Sequence, residues 1–296
     1  MKKPQWITAG IAFLLTVGLY ALTQNQLFGY HPKKTAATVA SKDNHEGHGH
    51  AEGEGHEETS LSVDTILSHA KEALPPDQLT RINFLQNSIT RGNVIDQKKH
   101  VFHQLARFWK DTARIFEPFA WYTAEAARLE NSENSLTFAA HLFLDNLKSE
   151  QNTGMKNWKA AQAKDLFERS LILNPANDST KVGLGATYLF GFADKPMEGI
   201  VKIREVVERD STNIYAQLTL GQASMVSGQL DRAVDRFQKV AKLEPGNLEA
   251  ILSLADVYER QGDKKNAVAW YQKSLPLIGI EGLRGEVEKR INDLGK

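Results

Sequence analysis

Four histidines lie within twelve residues of the N-terminal part of the chain, where carboxylates and glycines separate them. They are His45, His48, His50 and His56. Imidazole nitrogens bind zinc, copper and nickel, and flexible glycines let several of them converge on one ion. The tract lacks the fixed outer shell of a catalytic metal site, so we expect weak binding of these ions at most. The interpretation that the composition favours is a hydrophilic spacer.

Elsewhere the sequence offers little reactive chemistry. Cysteine is absent, which excludes disulfides, thiolate zinc sites and cysteine nucleophiles. No Gly-rich phosphate loop, Gly-x-Ser-x-Gly elbow or His-Glu-x-x-His occurs, and a Gly-x-Gly at Gly183 and Gly185 is explained by helix packing. We therefore expect neither an enzyme nor a cofactor. The formal net charge is +0, so no basic excess supports nucleic-acid binding.

The N-terminus predicts a membrane anchor. After a short tail, 1–5, which contains Lys2 and Lys3, the stretch 6–23 is apolar and uncharged. About 20 such residues cross a bilayer core, so we expect one transmembrane helix. A secretory signal peptide is the alternative, although no small-x-small cleavage site follows the run. Lysines flank the run on both sides, and we expect the rest of the chain on the periplasmic or outer side.

Between the anchor and the helices, residues 24–62 predict a flexible linker, because they contain too few bulky apolar residues to offset the entropy of ordering. Apolar residues then recur at helical spacing across an N-terminal helical region, 63–132. One long helix is expected over 95–115. Its aromatic residues, with those of the next helix, are predicted to be core rather than a ligand cage.

The C-terminal half repeats itself at a period of 34 residues, since 214–247 align without gaps with 248–281. The matching pairs are Leu220-Gly221 with Leu254-Ala255, Gly228 with Gly262, Ala233 with Ala267, and Phe237 with Tyr271. Such a period predicts helix-turn-helix units that stack into a solenoid.

Two less regular units precede the clean ones. The pair Leu184-Gly185 begins 36 residues before Leu220, and the two extra residues fall in a turn at 190–196. A looser unit needs about eleven residues inserted around 148–157. We therefore expect repeats over 133–281 and a charged capping helix over 282–296.

The units resemble the tetratricopeptide repeat family. That family carries a Leu-Gly or Leu-Ala pair and an aromatic on its first helix, and a small residue, an aromatic and another small residue on its second, often closed by proline. One unit supplies Leu220, Gly221, Ala233, Phe237, Val240 and Pro245, with Ser224 in place of the first-helix aromatic. The resemblance implies an all-α, right-handed α-solenoid with a concave groove that binds peptides or proteins.

The repeat register assigns residues to that groove. They are Val182, Ala186, Leu189 and Phe190 in one unit, Tyr215, Leu218, Gln222, Met225 and Val226 in the next, and Glu249, Leu252, Asp256, Glu259 and Arg260 in the last. The groove is expected to be apolar in its middle and charged toward the C-terminus, so we expect an apolar or amphipathic segment of a partner. The alternatives are that upstream helices fill it or that a second copy of the chain does, in a homo-oligomer.

The resulting hypothesis is a membrane-tethered scaffold for protein–protein interactions at the cell envelope. One alternative is a metal-handling protein that collects ions through the histidine tract. Another is an assembly or maturation factor for exported proteins, which differs from the scaffold only in its client.

Overall fold

The structure is a computed structural model that describes residues 61–91 and 95–296. The predicted anchor, 6–23, lies outside these residues, as do nearly all of the linker 24–62 and the histidine tract with His45, His48, His50 and His56. Among the helices that are described, none is both long and apolar enough to cross a membrane.

All regular elements of the described residues are helices, which confirms the all-α prediction. The α-helices are α1 (Val63–Glu72), α2 (Pro76–Arg91), α3 (Ile95–Arg107), α4 (Phe116–Glu130), α5 (Glu133–Leu147), α6 (Thr153–Leu173), α7 (Asp178–Gly191), α8 (Pro196–Arg209), α9 (Ile214–Val226), α10 (Leu230–Leu243), α11 (Leu248–Arg260), α12 (Lys264–Ser274) and α13 (Glu281–Leu294). A π-helical turn, Phe108–Ala113, follows α3, and a 3₁₀ turn, Leu275–Leu277, follows α12.

From α5 onward the helices pack as four consecutive hairpins: α5–α6, α7–α8, α9–α10 and α11–α12. The first helix of each later hairpin also packs on the second helix of the hairpin before it, and α13 packs on α12. This arrangement is the predicted stack of helix-turn-helix units.

Asparagine caps mark where the later hairpins begin. The side-chain oxygens of Asn177, Asn213 and Asn247 each accept a hydrogen bond of 2.9 Å from the backbone amide three residues on. Each bond satisfies an amide that the first turn of a helix leaves without an intrahelical partner. These caps therefore fix the starts of α7, α9 and α11.

Small residues let the two helices of a hairpin approach closely. A Cβ placed on Gly221 would lie 2.5 Å from a ring carbon of Phe237, which is fully buried. A Cβ on Gly185 would lie 2.5 Å from the side chain of Ile203. The glycines at these positions are therefore required by packing, as the sequence predicts.

The extra residues of the first hairpin fall mostly within a helix rather than in a long loop, because α5 ends at Leu147 and α6 begins already at Thr153. Asn152 caps α6 by accepting a 2.9 Å hydrogen bond from the amide of Met155. The insertion therefore lengthens α6 to 21 residues.

The long helix predicted over 95–115 is also interrupted. The α-helix ends at Arg107, the π-helical turn follows, and Arg114 adopts a left-handed conformation with φ of 56°. Phe108 and Trp109 in this turn are 2% and 0% exposed. Both rings therefore belong to the core, as the sequence predicts.

Candidate functional site

Side chains of α5 meet those of α9 on one face of the solenoid. The ring centroids of His141 and Tyr215 are 5.9 Å apart, and Nζ of Lys148, just after α5, lies 3.4 Å from Oε1 of Gln222. Since α7 lies between α5 and α9 in the stack, such contacts require the inner side of a curved array. We call this side the concave face.

Three polar side chains from different hairpins form a row across the concave face. The amide of Gln222 donates a 2.7 Å hydrogen bond to Oε1 of Glu249 and faces Lys148 on its other side. Nζ of Lys148 also lies 5.3 Å from the ring centroid of Phe190. We call Lys148, Gln222 and Glu249 the concave polar row.

Burial disfavours the charged forms of the acids on this face. It raises the pKa of Glu249, and the nearby charge of Asp145 raises it further, while Lys148 acts in the opposite direction. Burial likewise raises the pKa of Asp145, again opposed by Lys148. The face thus holds two carboxyl groups that are harder to ionise than usual, and one ammonium group beside them.

His141 and Tyr215 are neutral groups of the same face. Although part of its ring remains accessible, burial lowers the pKa of His141 to about 4, and the charge of Lys148 acts in the same direction. The ring packs edge-on against Phe167 at a centroid distance of 5.1 Å. Burial raises the pKa of Tyr215. Both groups therefore offer neutral hydrogen-bonding atoms at pH 7.

Several residues that the register assigns to the groove belong to the core instead. Val182, Ala186 and Leu218 are 0%, 1% and 7% exposed, which leaves little surface for a partner. Leu189 packs against the same buried cluster as Val182. The middle of the predicted apolar groove is therefore largely internal packing between helices.

The other assigned residues keep accessible surface, but not all on one face. Phe190, Tyr215, Gln222, Met225, Leu252 and Asp256 are partly buried or more exposed. Asp256 pairs with Arg260 at 3.0 Å, so its charge is already balanced. Val226 is 78% exposed, and it lines a separate cleft beside α9 rather than the concave polar row.

The repeat register does not assign His141, Asp145 and Lys148 to the groove, and His141 is expected from the sequence to be a packing or surface residue of a helix. In the structure, α5 and its C-terminus bring all three to this face. The looser first hairpin obscured their register. His141 follows Ala139 by two positions, as Gln222 follows Leu220. Carrying that register back across the insertion would have found His141.

Residues 218–278 match the tetratricopeptide repeat family. The resemblance seen in the sequence is thereby confirmed for the α9–α12 region, where the TPR register is clean. No curated protein matches the chain.

Several solved structures are similar to the chain at low identity. PilW, a widely conserved type IV pilus biogenesis factor, is 17% identical with a TM-score of 0.48, over 66% of this chain and 85% of PilW. A thermophilic TPR protein of Thermus thermophilus is 14% identical with a TM-score of 0.48, over 68% and 98%. YrrB, a TPR protein with an unusual peptide-binding site, is 16% identical with a TM-score of 0.40, over 69% and 97%.

Proposed function

We propose that this chain is a TPR scaffold that binds a segment of a protein partner on its concave face, without catalysis. The observation that carries the proposal is the concave polar row. Its three members, Lys148, Gln222 and Glu249, come from three different hairpins. A segment lying across the row would therefore contact most of the solenoid at once.

The Lys148 ammonium group of the row has only weak polar contacts within the chain. The 3.4 Å separation between Lys148 and Gln222 is longer than a good hydrogen bond, so a partner atom can replace it at little cost. In the described part of the chain, no carboxylate lies within ion-pair distance of the Lys148 nitrogen. Ionisable groups with perturbed pKa values collect at functional sites, which also supports this face.

The partner segment that fits is amphipathic. Partly exposed Phe190, Tyr215 and Met225 offer apolar contact near the row, while Lys148 suits a carboxylate or carbonyl of the segment. Apolar anchors combined with a few polar contacts are the usual basis of peptide recognition in a groove.

The test is crosslinking in cells followed by purification through the C-terminus, comparing wild type with Tyr215→Ser combined with Lys148→Met. We expect partner recovery to fall by about tenfold, the scale of losing central contacts. Lys242→Met, on the exposed side of α10, is the matched control and should not change it. Unchanged recovery with an intact helical circular-dichroism spectrum would count against the concave face.

The tethering part of the proposal rests on the apolar run 6–23 and the following linker, 24–62. A tethered scaffold would hold its partners beside the membrane on the periplasmic or outer side. Protease treatment of cells whose outer envelope layer is permeabilised and whose inner membrane is intact tests this, since a C-terminal tag on the outer side should be digested. A protected tag would reverse the orientation, and a tag in the soluble fraction would contradict the anchor.

The alternative of metal handling rests on the histidine tract alone. Within the residues that the structure describes, no group of three or more His, Asp or Glu could hold a metal ion. Calorimetry with zinc, copper and nickel, with and without residues 44–58, separates the two functions. Submicromolar binding that disappears with the deletion would favour metal handling. Recovery of exported proteins in the crosslinking experiment would favour the maturation factor.

A further inference from the structure

A cleft of about 730 Å³ opens between α8 and α10, with α9 as its floor. Its apolar lining includes Pro196, Met197, Ile200, Leu220 and Ala223. None of the three residues of the concave polar row lines it. We call it the α8–α10 cleft.

The cleft exists because α9 carries a small side chain at a position that is bulky in the next repeat. Ser224 lines the cleft, and its equivalent 34 residues later is Tyr258. Gln217 also lines the cleft, but it is fully buried and takes the place of Ile251 with a polar side chain of similar size. Ile251 is fully buried, and the hydroxyl of Tyr258 accepts a 2.9 Å hydrogen bond from Gln238 on the preceding second helix. The equivalent volume in the third hairpin is left open.

The lining of the cleft is basic on both its α8 and its α10 side. It contains four cations, Arg204, Arg232, Arg236 and Lys239, against one carboxylate, Asp235, an excess of three positive charges. Among the residues that the structure describes, no carboxylate lies within ion-pair distance of these four cations.

The buried side chain of Gln217 holds Arg236 at the cleft. Its Oε1 accepts a 2.8 Å hydrogen bond from Nη1 of Arg236, and its Nε2 donates a 2.8 Å bond to the carbonyl of Ser211. Burial, and then the charge of Arg204, lower the pKa of Arg236. The charged form of Arg236 is therefore destabilised by burial and by a neighbouring cation. An anion bound in the cleft would offset this destabilisation.

We propose that the α8–α10 cleft is a second protein-binding site, which receives an apolar side chain flanked by carboxylates from an acidic partner segment. The incoming side chain takes the place that Tyr258 fills in the next hairpin, and the carboxylates pair with the cations of the lining. Because the vacant position is that of a side chain, a peptide fits it better than a lipid chain. None of the three residues of the concave polar row lines the cleft, although Phe190, which contacts Lys148, does.

The experiment selects a random dodecapeptide phage library on the full chain, with counter-selection on Ser224→Tyr. This variant restores the tyrosine of the next repeat and should fill the cleft. We expect enrichment of an aromatic or aliphatic residue beside Asp or Glu. The selected peptides should bind Ser224→Tyr at least about tenfold more weakly than wild type, as for a lost hot-spot pocket. The unfolding midpoint of the variant should not fall.

A second variant keeps the test decisive if Ser224→Tyr folds poorly. Arg236→Gln should weaken the peptides and reduce the salt dependence of binding, whereas Lys242→Gln on the same helix should do neither. Failure to enrich peptides over the counter-selection, or a consensus without carboxylates, would overturn the proposal. Binding of decanoate without peptide enrichment would overturn it too, by assigning the cleft to anionic lipids.

Discussion

At the scale of single residues, Lys159 is a charge held inside the solenoid. The residue is 1% exposed, and its ammonium group lies 2.6 Å from Glu150, 3.1 Å from Glu117 and 2.5 Å from the amide oxygen of Asn146. Burial alone would raise the pKa of Glu150, but hydrogen bonds from Lys159 and from the backbone amide of Asn152 lower it below its usual value. The network joins α4, α5 and α6 around the insertion.

Replacing Lys159 by methionine should reduce the free energy of unfolding at pH 7 by roughly 3 kcal/mol, because two partly buried carboxylates lose their cation. Urea denaturation measures the change. Lys164→Met, which removes an exposed pair with Glu168, should cost less than about 1 kcal/mol. Because the folded pKa of Glu150 is lowered, its contribution is present above its unfolded pKa and is lost as the pH falls through the folded pKa. Equal costs for the two variants would contradict this role of Lys159.

His141 and Glu249 should give stability a pH dependence of opposite sign. His141 has a pKa of about 4 when folded. Its unfolded value is ~6.5, so the unfolded chain binds more protons between these pH values, and acidification to pH 5 costs on the order of 2 kcal/mol. His141→Phe keeps a ring against Phe167 and removes this loss. Thermal unfolding at pH 7 and pH 5 should show a smaller decrease for the variant, and an unchanged decrease would refute the assignment.

For Glu249 the folded chain binds the proton more readily, because the pKa of its carboxyl is raised. The destabilisation is therefore present at pH 7 and vanishes as the pH falls below the unfolded pKa. Glu249→Gln keeps an acceptor for Gln222, so we expect a higher unfolding midpoint at pH 7 and a shrinking gain toward pH 4. Glu286→Gln, on the exposed side of α13, is the control and should show no such trend.

At the scale of elements, two glycines without neighbours should respond oppositely to alanine. Gly262 turns the chain between α11 and α12 with φ of 78°, whereas Gly285 lies within α13, and a Cβ on either would meet nothing within 4 Å. Gly262→Ala should cost about 1–2 kcal/mol because alanine rarely adopts that φ. Gly285→Ala should add roughly 0.5–1 kcal/mol through helix propensity. Thermal unfolding of both variants checks the signs, and a shared sign would contradict the argument.

The regular elements were the predictable ones. The 34-residue period, the glycine turns and the small-residue contacts follow from local chemistry, so α9–α12 could be drawn from the sequence. The π-helical turn at Phe108–Ala113 could not, because its aromatics keep helical spacing and no Gly or Pro marks it. The concave polar row was found only in part, since an insertion that extends α6 hid the register of α5.

At the scale of the whole molecule, the solenoid is not equally tight along its length. The helix α9 packs less extensively on α8 than α7 does on α6 or α11 on α10. The same boundary contains the α8–α10 cleft, where Ser224 stands in place of the tyrosine of the next repeat. In a stack whose units contact only their neighbours, stability depends on each such boundary.

A weakly packed boundary lets the two parts of the array unfold separately. We expect α9–α13 to open as one sub-globular unit while α5–α8 stay folded, which native-state hydrogen exchange would show as a common, lower protection in the C-terminal helices. Ser224→Tyr should raise that protection toward the value of the preceding helices, and uniform protection in wild type would contradict the division. A segment bound in the cleft would contact both sides of this boundary. It would then couple the two parts of the array, so that they unfold in a single cooperative transition.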